Sequence, residues 1–330
     1  MKKVIAFGGG TGMSYLLRGI KEYPLDITAV VSVCDDGGST GKLRSEFNVV
    51  ALGDLRKVIE ALSKDEEEMA DLFNYRFSSD GELNNHALGN LILLAEADLK
   101  GSVKKGVETI SEILNLKGKV LPFTESNIKL VGMMQDESII RGEHNITKSK
   151  KKIDTVFYET EPEVNDEIID EILLADMIVL SMGSLYTSIV PNLLSKKVRD
   201  ALAKSKAKIV YCCNLFTQPG ETDNYKVSDH IKVLNKYLGK RKVDYVIAND
   251  GEIDHAFAKK YATEEQKDPV ILDYDEVEEL GCRVISDDLV YIKPNKESNK
   301  NVLRHNYLTL GFLINALALG KGHLVTKKPK

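Results

Sequence analysis

No tryptophan occurs among the 330 residues, and there are only 8 prolines and 4 cysteines. The cysteines, Cys34, Cys212, Cys213 and Cys282, have no CxxC spacing. That excludes a zinc or disulfide framework and leads us to expect reduced, buried thiols. A dominant charge is also missing: 45 Lys and Arg against 50 Asp and Glu leave a net charge of -5. Such a surface has no overall attraction for a phosphate backbone, so no nucleic-acid partner is expected. Long apolar runs are absent as well. Residues 4–7 are too short for a secretory core, and residues 306–320 fall short of the roughly 20 apolar residues that span a bilayer. The expectation is a cytoplasmic protein without membrane insertion, with 306–320 as a buried helix and the basic tail Lys327-Lys328-Pro329-Lys330 as a solvated end. There is no internal repeat and no low-complexity tract.

What is present is ample core material, 43% hydrophobic residues with 29% charged, arranged in alternating patterns. Residues 3–7 read as a buried strand stopped by glycine, and residues 13–22 place Leu16, Leu17 and Ile20 on one helical face. A second β-branched run follows at 27–33. This βαβ opening, with later strand-like runs at 177–180, 209–213 and 245–248, predicts an α/β fold: a Rossmann-like three-layer sandwich with a mainly parallel sheet. Residues 54–116 carry helical patterns without a strand, so we expect one domain over 1–330 with a helix-rich insertion there. The run of like charges at 148–152 resists burial and reads as an exposed connection.

The chemistry gathers at the ends of these strands. Gly8, Gly9, Gly10, Thr11 and Gly12 join a strand to a helix, where glycines let amides approach a phosphate and the helix dipole favours its charge. The spacing is neither GxGxxG nor a Walker loop. A valine at position 10 is expected to block this site and leave the fold largely intact. Asp35 and Asp36 follow the second strand at the ligand edge of an open sheet, suited to a ribose hydroxyl or to magnesium, with Gly37, Gly38 and Ser39 completing a loop through Gly41. Asp54 suits a helix cap. Arg56, in the same first turn, suits an anionic ligand or plain exposure. Asn85, His86 and Asn90 open another apolar helix, with Asn84 or Asn85 as cap and the histidine at its mouth. Gly183, Ser184, Tyr186 and Ser188 follow the strand at 177–180, and Pro191 favours a helix start soon after. Asn214, Thr217, Gln218 and Glu221 follow the next strand, so two polar loops share one edge. There is no Ser-His-Asp spacing or nucleophile elbow.

Read together, the blocks Gly8-Gly-Gly-Thr-Gly12, Asp35-Asp-Gly-Gly-Ser-Thr-Gly41, Gly53-Asp-Leu-Arg56, Asn85-His-Ala-Leu-Gly-Asn90, Gly183-Ser-Leu-Tyr-Thr-Ser188 and Asn214-Leu-Phe-Thr-Gln-Pro-Gly-Glu-Thr222 resemble the YvcK branch of the CofD-like family over most of the chain. The resemblance implies a Rossmann-like fold and one of two functions. YvcK-like gluconeogenesis factors bind UDP-N-acetylglucosamine and support cell-wall synthesis and cell shape on gluconeogenic carbon. CofD-like members transfer a phospholactyl group from a guanosine diphosphate conjugate, using magnesium. Arg304-His305-Asn306 stands where relatives are expected to read Arg-His-Asp.

The order of expectation is a nucleotide-sugar-binding regulator first, a magnesium-dependent transferase second and an NAD-dependent oxidoreductase third. In the first reading Thr217, Gln218 and Glu221 hold the sugar, while the glycine turn and Ser184 hold the phosphates. Self-association into a homo-oligomer is left open.

Overall fold

The computed structural model describes residues 1–64, 66–294 and 301–322; the basic tail at 327–330 lies outside them. Among the described residues twelve strands run in chain order. They are β1 (Lys2–Gly8), β2 (Leu25–Val31), β3 (Lys119–Pro122), β4 (Leu130–Met134), β5 (Ile139–Arg141), β6 (Ile153–Tyr158), β7 (Met177–Leu180), β8 (Lys208–Cys212), β9 (Tyr245–Asn249), β10 (Arg283–Asp287), β11 (Val290–Pro294) and β12 (Asn301–His305). Seven of them form one parallel sheet in the order β10-β9-β8-β7-β1-β2-β3. The chain winds outward from β1 in both directions, through β2 to β3 on one side and from β7 to β10 on the other. The crevice where winding reverses, between β1 and β7, is where open α/β sheets hold ligands.

Helices cover both faces, which is why β1 is apolar from Val4 to Phe7. Val4 and Ala6 enter one core and Ile5 and Phe7 the other, as the two-residue period of a strand requires. The first core is closed by α1 (Gly10–Ile20) and, after α2 (Gly38–Phe47), by α3 (Leu52–Leu62). The long β2 to β3 crossover continues through α4 (Glu66–Asn74), α5 (Leu88–Lys100) and α6 (Val103–Ile113), so the helix-rich stretch at 54–116 is borne out. The second core is closed by helices Asp166–Leu174, Lys196–Lys204 and Val227–Leu238.

A three-stranded antiparallel sheet, β5-β4-β6, stands beside the main one. Between β5 and β6 it carries the six-residue helix α7 (Glu143–Lys148). Neither this sheet nor the hairpin β11-β12 is signalled by the sequence patterns above. Residues 148, 150, 151 and 152, the lysines of the basic run, are all exposed where α7 leads into β6, as expected.

Residues 306–320 do form a helix, Tyr307–Ala318, buried along one face while Leu308 and Phe312 remain exposed. Asn306 caps it, its side-chain oxygen accepting the Thr309 amide at 3.3 Å. An aspartate would cap in the same way, so the departure from Arg-His-Asp keeps the local geometry. This helix meets α1 backbone to backbone. A Cβ on Gly19 would stand 1.9 Å from the Tyr307 carbonyl oxygen, and one on Gly311 would stand 2.4 Å from that of Gly19. No side chain fits without separating the helices. Gly19→Ala and Gly311→Ala are each expected to destabilise the protein by about 1–3 kcal/mol or more through overpacking, read as a lower denaturant midpoint at unchanged slope.

Candidate functional site

The turn after β1 is built by close approach. A Cβ on Gly8 would stand 1.9 Å from the Ser181 hydroxyl oxygen, and one on Gly12 would stand 2.1 Å from the Met182 carbonyl oxygen. These two glycines therefore let the start of α1 press against the end of β7. Gly9 and Gly10 face the other way, toward α3, where their Cβ positions lie 2.6 and 3.2 Å from the carboxylate oxygens of Asp54. Helix α1 begins with Gly9 as its N-cap and has no side-chain cap and no acidic residue in its first turn, so its first amides turn to the crevice. Gly10 has φ +62°. A β-branched residue there is strained by roughly 1–2 kcal/mol, so Gly10→Val is expected to lower stability by that amount with the fold largely intact.

The two aspartates after β2 diverge. Asp35 lines the crevice, and its Oδ1 accepts the Gly37 amide at 2.9 Å. Asp36 turns to α7, where its Oδ1 accepts the His144 amide at 2.8 Å and serves as the cap that Gly142 cannot supply. Among the described residues no three His, Cys, Asp or Glu side chains cluster so as to hold a metal ion. The two carboxylates turn to different partners and do not form one chelating pair. Gly38 and Ser39 belong to the first turn of α2 rather than to a loop, and the Ser39 hydroxyl meets His86 Nδ1 at 3.0 Å.

Four expectations for α3 and α5 are also corrected. Asp54 sits inside the first turn of α3, whose N-cap is Ala51, and points into the crevice rather than capping. Arg56 is 3% exposed. Its Nε donates to Asn90 Oδ1 at 3.0 Å and its Nη1 to the Phe73 carbonyl at 3.2 Å and to Asn74 Oδ1. Arg56 and Asn90 thus hold α3, α4 and α5 together, and burial lowers the guanidinium from its ordinary range. The N-cap of α5 is Ala87, not Asn84 or Asn85. Asn85 takes a left-handed turn and gives its carbonyl to Arg76, while His86 is buried instead of standing at a mouth.

From β7 the chain enters a π-helical turn, Leu185–Ile189, capped by Ser184, whose Oγ accepts the Thr187 amide at 3.1 Å. A 3-10 turn, Val190–Leu193, follows with Pro191 at its start, as expected. Asn214 clamps the Gly183 peptide, accepting its amide at 2.9 Å and donating to its carbonyl at 2.7 Å. Tyr186 turns inward to the Tyr225 hydroxyl at 3.1 Å. Thr217 is 3% exposed, and its hydroxyl is occupied by the Asp268 amide at 3.0 Å. Thr217, Gln218 and Glu221 are not on the crevice wall; Glu221 lies behind Ser184, 2.5 Å from its Oγ.

The wall proper is formed by Gly9, Gly10, Thr11, Gly12, Ser32, Asp35, Asp54, Lys57, Glu143, Gly183, Ser184, Thr187 and Ser188, around a cavity of about 340 Å³. Four of these, Ser32, Lys57, Glu143 and Thr187, were not among the site residues read from sequence. Among the described residues Lys57 is the only cation on that wall, and it pairs with Asp54 at 3.2 Å; its place three residues after Asp54 on α3 was the available signal. Glu143 carried none, because only the folding of α7 against Asp36 delivers it. Burial raises Asp54 against the pull of Lys57. Burial also pushes Glu143 up to about 7, helped by the charges of Asp35 and Asp36 and opposed by hydrogen bonds from Thr147 and Thr187.

The model of the family described as 2-phospho-L-lactate transferase CofD matches residues 4–290, a span that includes every residue of this wall. The chain belongs to the CofD family. Within it the chain sits with the gluconeogenesis factors. It is 43% identical to the gluconeogenesis factor of Bacillus subtilis over 307 residues, 92% of this chain and 94% of the relative. It is 40% identical to a putative gluconeogenesis factor of Thermotoga maritima over 317 residues, 96% and 99% of the two chains. A crystal structure of a UPF0052 family member from Bacillus halodurans, 42% identical, superposes with a TM-score of 0.89 over 95% of this chain and 99% of that one.

Because Arg56 is a structural cation in this CofD-family chain, Arg56→Met is expected to strand Asn90 and Asn74 and cost at least about 1.5–3 kcal/mol, measured by chemical denaturation. Ligand affinity at a temperature where the variant stays folded should be unchanged.

Proposed function

We propose that this chain is a cytoplasmic regulatory protein that binds a nucleotide sugar, UDP-N-acetylglucosamine, and links its supply to cell-wall synthesis and cell shape during gluconeogenic growth. The observation that supports this reading best is the composition of the crevice wall at the β1/β7 switch point. The first-turn amides of α1, the hydroxyls of Thr11, Ser32, Ser184, Thr187 and Ser188, and the Lys57 ammonium surround one cavity of about 340 Å³. Amides, hydroxyls and a single ammonium suit a diphosphate. The gluconeogenesis-factor names of the relatives support the regulatory role.

A transferase of a phosphorus-containing group from a nucleotide diphosphate conjugate is the second reading. It is favoured by the name of the family and by Glu143, a crevice carboxyl at about 7, the range suited to general acid–base work at neutral pH. In a chain of this family the oxidoreductase alternative is not carried further.

Incubation with UDP-N-acetylglucosamine is expected to raise the melting temperature, since a ligand present at 100 times its Kd adds about 2.7 kcal/mol to the folded state. Lys57→Met should weaken binding about 10–100-fold, the equivalent of one lost charge-assisted contact of about 1.5–3 kcal/mol, by calorimetry. No UDP or UMP should be released above a Lys57→Met control. Reproducible release would move the chain to the transferase class, and no shift with any UDP-sugar would sink the sensing role.

A further inference from the structure

Thr187 joins two carboxyl groups. On the crevice side its hydroxyl reaches Glu143. On the inner side its Oγ1 lies 2.5 Å from Ser184 Oγ, which lies 2.5 Å from Glu221 Oε1. Glu221 is 4% exposed, and its Oε2 has no hydrogen-bond partner among the described residues, although the Leu185 and Tyr186 amides face the carboxyl. A buried carboxylate with one bare oxygen is costly as an anion and much less so as a neutral acid. Burial accordingly raises Glu221.

With Glu221 ionised, Ser184 Oγ donates to its Oε1, and Thr187 Oγ1 stands 3.5 Å from the same oxygen. When Glu221 carries a proton, the row can instead run from Glu221 to Ser184, to Thr187 and to Glu143, with a Ser184 lone pair left for the Thr187 amide at 3.1 Å. In that order Thr187 presents a hydroxyl proton to Glu143 and favours its ionised form, the sense in which it acts on that carboxyl. Thr147 on α7 also lowers Glu143 through a hydrogen bond. Burial and the charges of Asp35 and Asp36, from the β2 to α2 connection, oppose it. Asp54 and Lys57 from α3 stand on the same wall, and His144 follows on α7. Lys57, the only ammonium on the wall, is already paired with Asp54. A diphosphate diester adds two negative charges to a crevice that already holds three carboxyl groups.

We propose that Glu143 is a ligand-contacting residue that meets the diphosphate as a neutral acid, taking one proton from solvent on binding, and that Thr187 is the positioning residue that sets its proton affinity. This rests on the diphosphate reading above. Glu143, not a metal pair at Asp35 and Asp36, then limits the negative charge in the crevice. Because the bound state holds the extra proton, affinity is full below the proton affinity of free Glu143, about 7, and falls as pH rises through it.

Calorimetric titration of the full chain with UDP-N-acetylglucosamine in EDTA, from about pH 6 to 8.5 and in two buffers of different ionisation heat, tests this. The phosphates of this ligand are diesters that keep one charge each across that range. The wild type should lose about tenfold in affinity per pH unit above 7 and take up close to one proton per ligand at pH 8. Glu143→Gln, neutral at every pH, should flatten the profile, which also separates Glu143 from His144. Thr187→Val removes a hydrogen bond that holds Glu143 down, so its midpoint should move to higher pH; a merely structural role for Thr187 would lower affinity without moving the midpoint. A pH-independent affinity in the wild type, the same slope in Glu143→Gln, or binding that needs magnesium at every pH would overturn the proposal with the ligand reading intact. Failure of UDP-sugars, GDP-sugars and NAD alike to bind any of the three proteins would overturn both.

Discussion

Gly8, Gly9 and Gly12 occupy positions where a Cβ would fall within 2.6 Å of a neighbouring atom: the Ser181 hydroxyl, the Asp54 carboxylate and the Met182 carbonyl. The turn they form is wedged between the end of β7 and the start of α3. This wedge is the constraint on which the crevice depends. It brings the first amides of α1 within one cavity of the Ser184–Ser188 hydroxyls and of the Asp54–Lys57 pair. Widen it by one methyl group and the three walls separate together, because each is a rigid element with its own core contacts. The same economy recurs behind the site, where Gly19 and Gly311 let α1 rest directly on helix Tyr307–Ala318. Helix α1 is thus pinned at its first turn and near its last.

Electrostatics makes the crevice unusual for an anion site. Helix N-termini favour negative charge, yet Asp35, Asp54 and Glu143 line the same cavity with only Lys57 against them. Two of the three carboxyls are raised by burial, which is how a wall with excess acid avoids the full cost of its own charge. The acid must still serve some purpose or be tolerated for one. Gly142, with φ +91°, and Asp36, tied to the His144 amide, together fix the short helix that brings Glu143 in. A stray surface carboxylate would not require a left-handed glycine and a remote cap.

How much of this was legible follows from range. The buried strands at 177–180, 209–213 and 245–248, the opening βαβ unit and the helical stretch at 54–116 rest on local periodicity, and they stand within about three residues of where the patterns put them. The glycine turn, Asp35, Asp54, Ser184 and Ser188 were reachable because loops after parallel strands meet at one edge. Arg56, Asn90, Tyr186 and Thr217 were misread as ligand groups for the opposite reason. Their polar atoms are satisfied by Phe73, Asn74, Tyr225 and Asp268, partners distant enough in sequence that no local pattern announces them. Asp36 belongs to the same class, its partner being more than a hundred residues away. The antiparallel sheet β5-β4-β6 was invisible because its strands are short and its edge strand β5 is only three residues long, and Glu143 was lost with it.

The contrast between regulator and transferase can be stated in the same terms. Both need the wedge, the hydroxyls and Lys57, since both bind a diphosphate; a transferase needs in addition a group that takes a proton from an acceptor at the moment of attack. Only Glu143 stands on the wall at about 7, and its hydroxyl row leads inward to Glu221 rather than outward to a second cavity. The same carboxyl that could accept a proton from an acceptor alcohol can instead hold a proton against a phosphate, and the two uses exclude each other while a ligand is bound. A Glu143 kept neutral by the diphosphate is spent as a donor and unavailable as a base. Proton uptake on binding, measured at this residue, would favour a protein that reads the concentration of its ligand over one that uses this carboxyl as a base.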